Sequence, residues 1–151
     1  IAQCLVGSEM CIRDRYRNDM EGGQTNEFRP LILVAEDDDS NFKLIKAIIG
    51  KKCDIQWAKN GEEIVALFKE YGNEAKAILM DIKMPVMNGL DATKIIRGEN
   101  KEIPIIMQTA YAFSSDKENA MNAGASEVLV KPITLSILRN TLTKYFPELV
   151  W

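Results

Sequence analysis

Carboxylates stand directly after two apolar segments of the sequence. The run EDDD begins at Glu36, immediately after the segment LILVA, and Asp81 follows the segment AILM. Carboxylates brought close together raise one another's pKa, and they remain ionised together only beside a cation. The chain has no histidine, so an all-oxygen site favours a hard ion, and magnesium that keeps some of its waters fits best. We therefore expect Glu36, Asp37 and Asp81 to bind Mg²⁺ if the fold brings these segments together.

A hydroxyl and an ammonium group follow two later apolar segments. Thr109 comes after IPIIMQ, and Lys131 comes after EVLV. A lysine and a hydroxyl opposite the carboxylates can bind oxygens of a phosphoryl group, and one carboxylate can then act as the nucleophile that forms an aspartyl phosphate. Taken alone, Thr109 is more simply explained as a turn residue and Lys131 as a solvated cation. Their joint placement after apolar segments favours the phosphoryl-binding site.

Five short apolar segments alternate with amphipathic segments from Leu31 onward. Short apolar runs are typical of strands buried on both faces, as in a parallel sheet. The predicted strands are Leu31–Ala35, Asp54–Ala58, 77–80, 105–108 and 128–130. Five βα units in succession predict an α/β fold, a doubly wound (βα)5 five-stranded parallel sheet with the flavodoxin-like order 2-1-3-4-5. Binding sites in such sheets lie at the carboxyl ends of the strands, so all four groups of polar residues are expected at one edge.

The helical segments carry start and stop signals of their own. Asp38, Asp39 or Ser40 can each cap the first helix, and this role is preferred for them over metal binding. Gly124 is expected to end the fourth helix in a left-handed conformation.

Composition excludes several classes of protein. A length of 151 residues suits one domain, and a net charge of -3 does not indicate a nucleic-acid-binding surface. No apolar run approaches the roughly 20 residues needed to cross a bilayer. Without histidine, the chain cannot be a phosphohistidine donor, a histidine-dependent hydrolase or a typical zinc enzyme. No GxGxxG or Walker loop follows a predicted strand, which disfavours nucleotide binding.

Four sequence segments occur in a characteristic order. They are ILVAEDDDSN, ILMDIKMPVMNGLDA, IPIIMQTAYA and ASEVLVKPI. Together they resemble the response-regulator receiver domain of two-component phosphorelays, over roughly residues 30–148. The second segment is the most specific, because an aspartate closes an apolar strand and M-P-x-M-N-G follows.

The resemblance implies a role for each acid of the predicted site. Asp81 is expected to accept a phosphoryl group from a phosphohistidine. Asp37 and Asp81 are expected to bind Mg²⁺ directly, with the backbone carbonyl of Lys83 as a third ligand. Glu36 is expected to hold the ion through a water molecule.

The resemblance also implies roles for residues of the last two predicted strands. Thr109 is expected to bond a phosphoryl oxygen and draw the following loop inward, and Lys131 to pair with the carboxylate and then with the phosphoryl group. A cis bond is expected between Lys131 and Pro132. One departure concerns Val128, since the family usually has Tyr or Phe there. Coupling from the site to the last helices is therefore expected to be weaker or differently built.

The resemblance implies a histidine kinase or a histidine phosphotransfer domain as the partner. No nucleic acid, no membrane contact by this domain and no small-molecule substrate beyond phosphodonors are expected. The favoured setting is the C-terminal receiver of a cytoplasmic hybrid sensor histidine kinase, and the domain itself is a phosphoacceptor switch rather than a turnover enzyme. A stand-alone single-domain response regulator is the alternative, which Met20 as a possible initiator keeps open.

Two further alternatives remain open. A degenerate receiver would bind its partner without phosphorylation, although the complete set of acids, Thr109 and Lys131 argues against it. A haloacid-dehalogenase-like phosphatase would also use an aspartate nucleophile and magnesium. Such phosphatases need a second acid two residues after the nucleophile, where this chain has Lys83.

The first thirty residues do not continue the alternating pattern. Charged residues interrupt 1–15, so neither a secretory signal nor a membrane anchor fits. The run CLVGSEMCIRDR resembles translated sequencing adapter, which implies no biological role for Cys4 and Cys11. Residues 16–30 are polar, contain a Gly-Gly pair and predict a flexible linker. The expected organisation is therefore an artefactual or disordered segment and linker over 1–30, and a receiver domain over 31–148.

Overall fold

The computed structural model describes residues 28–110 and 114–151. In these ranges five strands alternate with five helices. The strands are β1 (Leu31–Ala35), β2 (Asp54–Ala58), β3 (Ala75–Asp81), β4 (Ile105–Thr109) and β5 (Glu127–Val130). The helices are α1 (Asp39–Ile49), α2 (Gly61–Tyr71), α3 (Gly89–Glu99), α4 (Ser114–Ala123) and α5 (Leu135–Tyr145). No helix in the described ranges is long and apolar enough to cross a membrane. The predictions for residues 1–27 lie outside these ranges.

All five strands are parallel and form one sheet in the order β2-β1-β3-β4-β5. This confirms the predicted doubly wound fold and its strand order. Every residue of β1 and β4 is buried, as expected for continuous apolar runs in inner strands, whereas the edge strand β2 alternates buried and half-buried residues. β3 is longer than predicted at both ends, so that Asp81 is its last residue.

Alternate side chains of the strands enter two cores, one on each face of the sheet. The first core lies against α2, α3 and α4 and includes Met80 and Ile96. The second lies against α1 and α5 and includes Leu79, Ile49 and Leu138. Because neighbouring residues of β3 enter opposite cores, packing fixes this strand from both sides. The carboxyl end of the strand is therefore held at a defined place.

Two helix ends have the residues that the sequence predicted for them. The Asp38 carboxylate accepts a hydrogen bond from the Asn41 N–H at 2.9 Å and so caps α1. This decides among the three residues that the sequence offered for that role. Gly124, which follows α4, has a φ of 114°, a conformation that favours glycine.

Candidate functional site

Acids at the ends of β1 and β3 lie side by side. Glu36 and Asp37 follow β1 directly, Asp81 ends β3, and the two strands are hydrogen-bonded neighbours. One carboxylate oxygen from each of the three residues lies within 4.8 Å of the others. Glu36 and Asp81 are buried whereas Asp37 is exposed, so the cluster is open to solvent on one side. Three hard oxygen donors with an open side fit Mg²⁺, which keeps several of its waters.

Lys131 provides a positive charge next to the acids. Its ammonium nitrogen lies 2.9 Å from Asp81 Oδ2 and 3.4 Å from Glu36 Oε2. Burial alone would lower the pKa of Lys131, but the hydrogen bonds to and charges of Asp81 and Glu36 outweigh it, so the pKa is raised. The side chain is therefore an ammonium cation throughout the physiological range. It joins residues from the ends of three strands, β1, β3 and β5.

Glu36 is the most deeply placed of the three acids. It is fully buried, and its pKa is raised to about 7, first by burial and then by the negative charge of Asp81. Lys131 and the N–H of Asp38, which donates to Glu36 Oε1 at 3.2 Å, offset part of this rise. The Lys131 ammonium thus offsets only part of the effect of burial and of the Asp81 charge on Glu36, and a second cation would be favoured here.

Thr109 lies at the same edge of the sheet, one strand further along. It is the last residue of β4, it is buried, and its carbonyl accepts a hydrogen bond from the Lys131 N–H at 2.7 Å. Its hydroxyl donates to Asp116 Oδ2 at 3.3 Å. The peptide bond between Lys131 and Pro132 is cis, as the family resemblance implied. Thr109 and Lys131 thus lie next to each other, as their positions in the sequence predicted.

The loop after Asp81 packs closely on this residue. Lys83, the predicted carbonyl ligand, lies two residues further on with an exposed side chain. At Gly89 an added Cβ would stand 2.2 Å from the Asp81 carbonyl oxygen. The start of α3 can therefore approach Asp81 so closely only with glycine at this position.

Two residues beside the site were not expected from the sequence. Asp116 receives the Thr109 hydroxyl, and Trp57 donates its indole N–H to the Glu36 carbonyl at 2.8 Å. The only sequence signals were an acid in the first turn of a helix and an aromatic residue near the end of a strand. Both signals are common in proteins without any such site.

A doubly wound parallel sheet with an acidic, lysine-containing cluster at its carboxyl edge defines a class of α/β domain that handles charged groups through side chains at strand ends. The sequence profile of the response regulator receiver domain matches residues 32–143. The chain therefore belongs to the response regulator receiver family and is a receiver domain of two-component phosphorelay signalling. This family assignment excludes the haloacid-dehalogenase-like alternative.

Among curated relatives, the chain is similar to hybrid signal transduction histidine kinases I and G of Dictyostelium discoideum. Identity is 38% with each, over 78% and 89% of the chain. The chain spans only 7% and 4% of the length of these two proteins. It is also 33% identical, over 77% of its length, to the signal transduction histidine-protein kinase BarA of Escherichia coli, of which it spans 13%.

Solved structures show the same fold. The chemotaxis protein CheY4 of Vibrio cholerae matches with a TM-score of 0.73 and 25% identity, covering 79% of this chain and 100% of the other. A response regulator from Chloroflexus aurantiacus matches with a TM-score of 0.70 and 28% identity, covering 78% of this chain and 98% of the other. Both matches place this chain among receiver folds. Receiver domains interact with histidine kinases or phosphotransfer domains.

Proposed function

We propose that this domain accepts a phosphoryl group from a phosphohistidine onto Asp81, in a reaction that depends on Mg²⁺. The observation that carries the proposal is the position of Asp81, with its Oδ2 2.9 Å from the Lys131 ammonium and with Glu36 and Asp37 in the same cluster. In the proposed step, a carboxylate oxygen of Asp81 attacks phosphorus while the bond from phosphorus to the imidazole nitrogen breaks. The products are an aspartyl phosphate and a histidine, which regains its proton from solvent.

Each neighbour of Asp81 has a distinct task in this proposal. Asp37, Asp81 and the carbonyl of Lys83 would hold Mg²⁺, with Glu36 acting through water. The ion would supply positive charge to offset that of the transferring phosphoryl group. The Lys131 ammonium stays charged and moves from pairing with the free carboxylate to pairing with a phosphoryl oxygen. The Thr109 hydroxyl donates a hydrogen bond to another of these oxygens.

Phosphorylation by a small-molecule donor tests this proposal directly. Acetyl phosphate with Mg²⁺ should add one phosphoryl group to the intact mass of the protein, and chelation with EDTA should prevent it. Asp81→Asn keeps the shape of the residue but removes the nucleophile, so it should abolish the gain. Asp91→Asn, at an exposed acid in the first turn of α3, should leave it unchanged. A folded protein that gains no mass with Mg²⁺ would instead support the degenerate receiver.

An apolar groove next to Lys131 supports a helical, histidine-bearing partner. The groove has a volume of about 60 Å³, lies between α1 and the segment that joins β5 to α5, and its apolar lining residues are Leu44, Ile45, Pro132 and Ile133. Lys131 also lines it, so a helix placed there would bring a phosphohistidine close to Asp81. Leu44 is 46% exposed. An exposed apolar side chain that lines a groove is typical of a surface that binds an apolar partner.

A charged residue introduced into the groove distinguishes partner docking from the phosphorylation reaction itself. Leu44→Asp should slow phosphotransfer from a phosphorylated histidine phosphotransfer domain at least tenfold, because a carboxylate must be desolvated on docking. Phosphorylation by acetyl phosphate should be unaffected. Ile95→Asp, at a residue of α3 that is 41% exposed, is the matched control and should leave both reactions unchanged. Equal slowing by both variants would count against the groove.

We also propose that the domain, over residues 31–148, belongs to a cytoplasmic hybrid histidine kinase. The supporting observation is the similarity to hybrid kinases from Dictyostelium discoideum. The stand-alone regulator is the second candidate. Sequencing the source gene upstream of the Leu31 codon distinguishes them. A continuous reading frame that encodes a kinase supports the hybrid, and initiation at Met20 behind a stop codon supports the stand-alone regulator.

A further inference from the structure

Thr109 is tied to α4 by the hydrogen bond from its hydroxyl to Asp116 Oδ2, at 3.3 Å. Asp116 lies in the first turn of α4, where the helix dipole stabilises a carboxylate. A threonine hydroxyl has only one proton to donate. We propose that Asp116 is a positioning residue, which directs the Thr109 hydroxyl towards α4 until a phosphoryl oxygen on Asp81 accepts the hydrogen bond of that hydroxyl instead. This inference rests on the proposed function of Asp81.

The register of the sheet explains why Thr109 has to turn. Asp81 pairs with Gln108 of β4, so these two side chains lie on the same face, and that of Thr109 lies on the other. The latter face is the one that α4 covers, because Met107, two residues earlier, belongs to the core on that side. The hydroxyl therefore starts on the α4 side of the sheet. Bonding a phosphoryl oxygen on Asp81 requires it to turn towards the edge, away from Asp116.

The Asp116 carboxylate and a phosphoryl oxygen then compete for the one hydrogen bond that the Thr109 hydroxyl can donate. The Asp116 carboxylate is half-buried, and its distance of 3.3 Å from the Thr109 oxygen is longer than usual for a hydroxyl donor, which makes this a weak hydrogen bond. A phosphoryl group on Asp81 offers several charged oxygens, which are strong acceptors. The bond to Asp116 consequently sets a threshold for the turn of Thr109 rather than preventing it. When the bond breaks, the first turn of α4 loses a contact with the sheet.

The neighbouring strand makes this link relevant to signalling. Val128 of β5 pairs with Met107 and packs, partly buried, against the core on the α4 side. Valine is small and has a restricted χ1 angle, so a change of its rotamer would alter the packing around it only slightly. The Asp116 bond connects Thr109 to α4 directly and needs no large side chain at residue 128.

Binding of beryllofluoride, a tetrahedral phosphoryl mimic, measures the threshold. With Mg²⁺ present, fluorescence of Trp57, whose indole N–H bonds the Glu36 carbonyl, reports binding in a Trp151→Phe background common to all variants. Asp116→Ala should tighten apparent binding about fivefold, the effect of one modest hydrogen bond. Asp116→Asn keeps an acceptor oxygen and should change affinity less. Glu118→Ala removes the same charge from an exposed residue of α4 and should change affinity less than about twofold.

The Thr109→Val background separates positioning from charge. Valine keeps the shape of threonine but has no hydroxyl, so Asp116→Ala should have almost no effect there. Tightening that is equal in both backgrounds would overturn the proposal, because it would reflect only the removal of a negative charge. No tightening in the Thr109 background would overturn it as well.

A double-mutant cycle without any ligand tests the bond apart from the proposed phosphorylation. Urea unfolding of the wild type, the two single variants and the double variant should show coupling equivalent to about fivefold in the unfolding equilibrium constant. Coupling together with no response to beryllofluoride or acetyl phosphate would mean that the proposed function of Asp81 fails although the bond exists. No coupling, with normal phosphorylation, would mean that only the positioning role fails.

Discussion

The indole N–H of Trp57 lies 2.8 Å from the backbone carbonyl oxygen of Glu36 and donates a hydrogen bond to it. The Trp57 ring stacks on Phe42, with 4.1 Å between ring centroids and 2° between ring planes. The Lys59 ammonium lies 4.9 Å from the Trp57 ring centroid. Edge strand β2 therefore holds the end of β1, where two acids of the cluster stand. The geometry of the proposed metal site thus depends on an aromatic residue that is not itself a ligand.

Replacement of Trp57 by phenylalanine should weaken both the fold and the proposed site. Phe keeps an aromatic ring but lacks the N–H, so the free energy of unfolding should fall by about 1 kcal/mol. Since Glu36 is then held less firmly, Mg²⁺ affinity should fall a few-fold. Urea unfolding and calorimetric titration with MgCl2 measure the two effects.

Trp151→Phe is the matched control for this substitution. The Trp151 indole N–H also donates one hydrogen bond, to Thr143 Oγ1 at 3.0 Å. Thr143 belongs to α5 and lies outside the acidic cluster. Trp151→Phe should lower stability by a comparable amount without changing Mg²⁺ affinity. Equal Mg²⁺ affinities for the two variants would contradict a role for Trp57 at the site.

Lys131→Met should destabilise the protein without Mg²⁺ and increase its response to the ion. Loss of the ammonium leaves the buried Glu36 and Asp81 carboxylates without their positive partner. Removing one partner of a buried pair costs several kcal/mol. Because the Lys131 side chain is 22% exposed, we expect about 2 kcal/mol here. Thermal unfolding with and without MgCl2 should show a larger gain from Mg²⁺ in the variant than in the wild type.

The effect should depend on the acids and not on loss of a lysine as such. Adding Glu36→Gln to Lys131→Met removes one uncompensated charge and should recover part of the stability. Lys144→Met removes an exposed ammonium 2.8 Å from Glu127 and should change stability little. If all three variants were equally stable without Mg²⁺, the electrostatic explanation would be wrong.

The strands could be predicted because inner parallel strands are continuous apolar runs, which local sequence displays. Their order is one of the two that are common in doubly wound sheets. The convergence of Glu36, Asp81 and Lys131 followed from that topology, since parallel strands end at one edge. The bond between Thr109 and Asp116 did not follow, because it depends on where the first turn of α4 lies relative to β4. In the sequence, Asp116 is simply an acid at a helix start.

Contacts between distant parts of the chain were equally hidden. Residues 28–30 form the end of the predicted linker, but the Arg29 guanidinium lies 3.2 Å from Asp54 Oδ1. The Phe28 ring centroid lies 6.2 Å from that of Phe146, beyond α5. Local polarity predicts a linker, whereas these contacts depend on tertiary partners far along the chain. A truncation test of the domain boundary should therefore start at Phe28 rather than at Leu31.

Cys53 should react very slowly with thiol reagents. It is fully buried, and burial raises its pKa from 9.0 to about 12. The thiolate is the reactive form, so labelling with DTNB at pH 8 should be about a thousandfold slower than for an ordinary cysteine. A Cys4→Ser, Cys11→Ser background leaves Cys53 as the only thiol. Labelling at the rate of a free thiol without urea would contradict this placement.

The same shift gives a pH dependence of stability. The folded state keeps the Cys53 proton between pH 9 and pH 12, whereas the unfolded chain loses it. The stabilisation that comes from keeping Cys53 protonated and buried is therefore complete below pH 9 and is lost as the pH rises towards 12. The difference in unfolding free energy between this background and Cys53→Ala isolates the effect, because lysines and tyrosines titrate equally in both. That difference should shrink above pH 9.

Two glycines of α3 should respond oppositely to the same substitution. At Gly89 an added Cβ would stand 2.2 Å from the Asp81 carbonyl oxygen and 2.9 Å from Met80 Cγ, whereas at Gly98 nothing lies within 4 Å. Gly98→Ala should stabilise the protein by about 1 kcal/mol through helix propensity alone. Gly89→Ala has to push the start of α3 away from β3, and we expect a loss of about 2 kcal/mol.

Function separates the two variants further. Because Gly89 contacts the backbone of Asp81, Gly89→Ala should shift the carboxylate from the Lys131 ammonium and reduce the rate of phosphorylation by acetyl phosphate severalfold. Gly98→Ala should react at the wild-type rate although it is the more stable protein. A Gly89→Ala variant that is destabilised yet phosphorylated at the wild-type rate, measured well below its melting temperature, would show that close packing here serves the fold and not the position of Asp81.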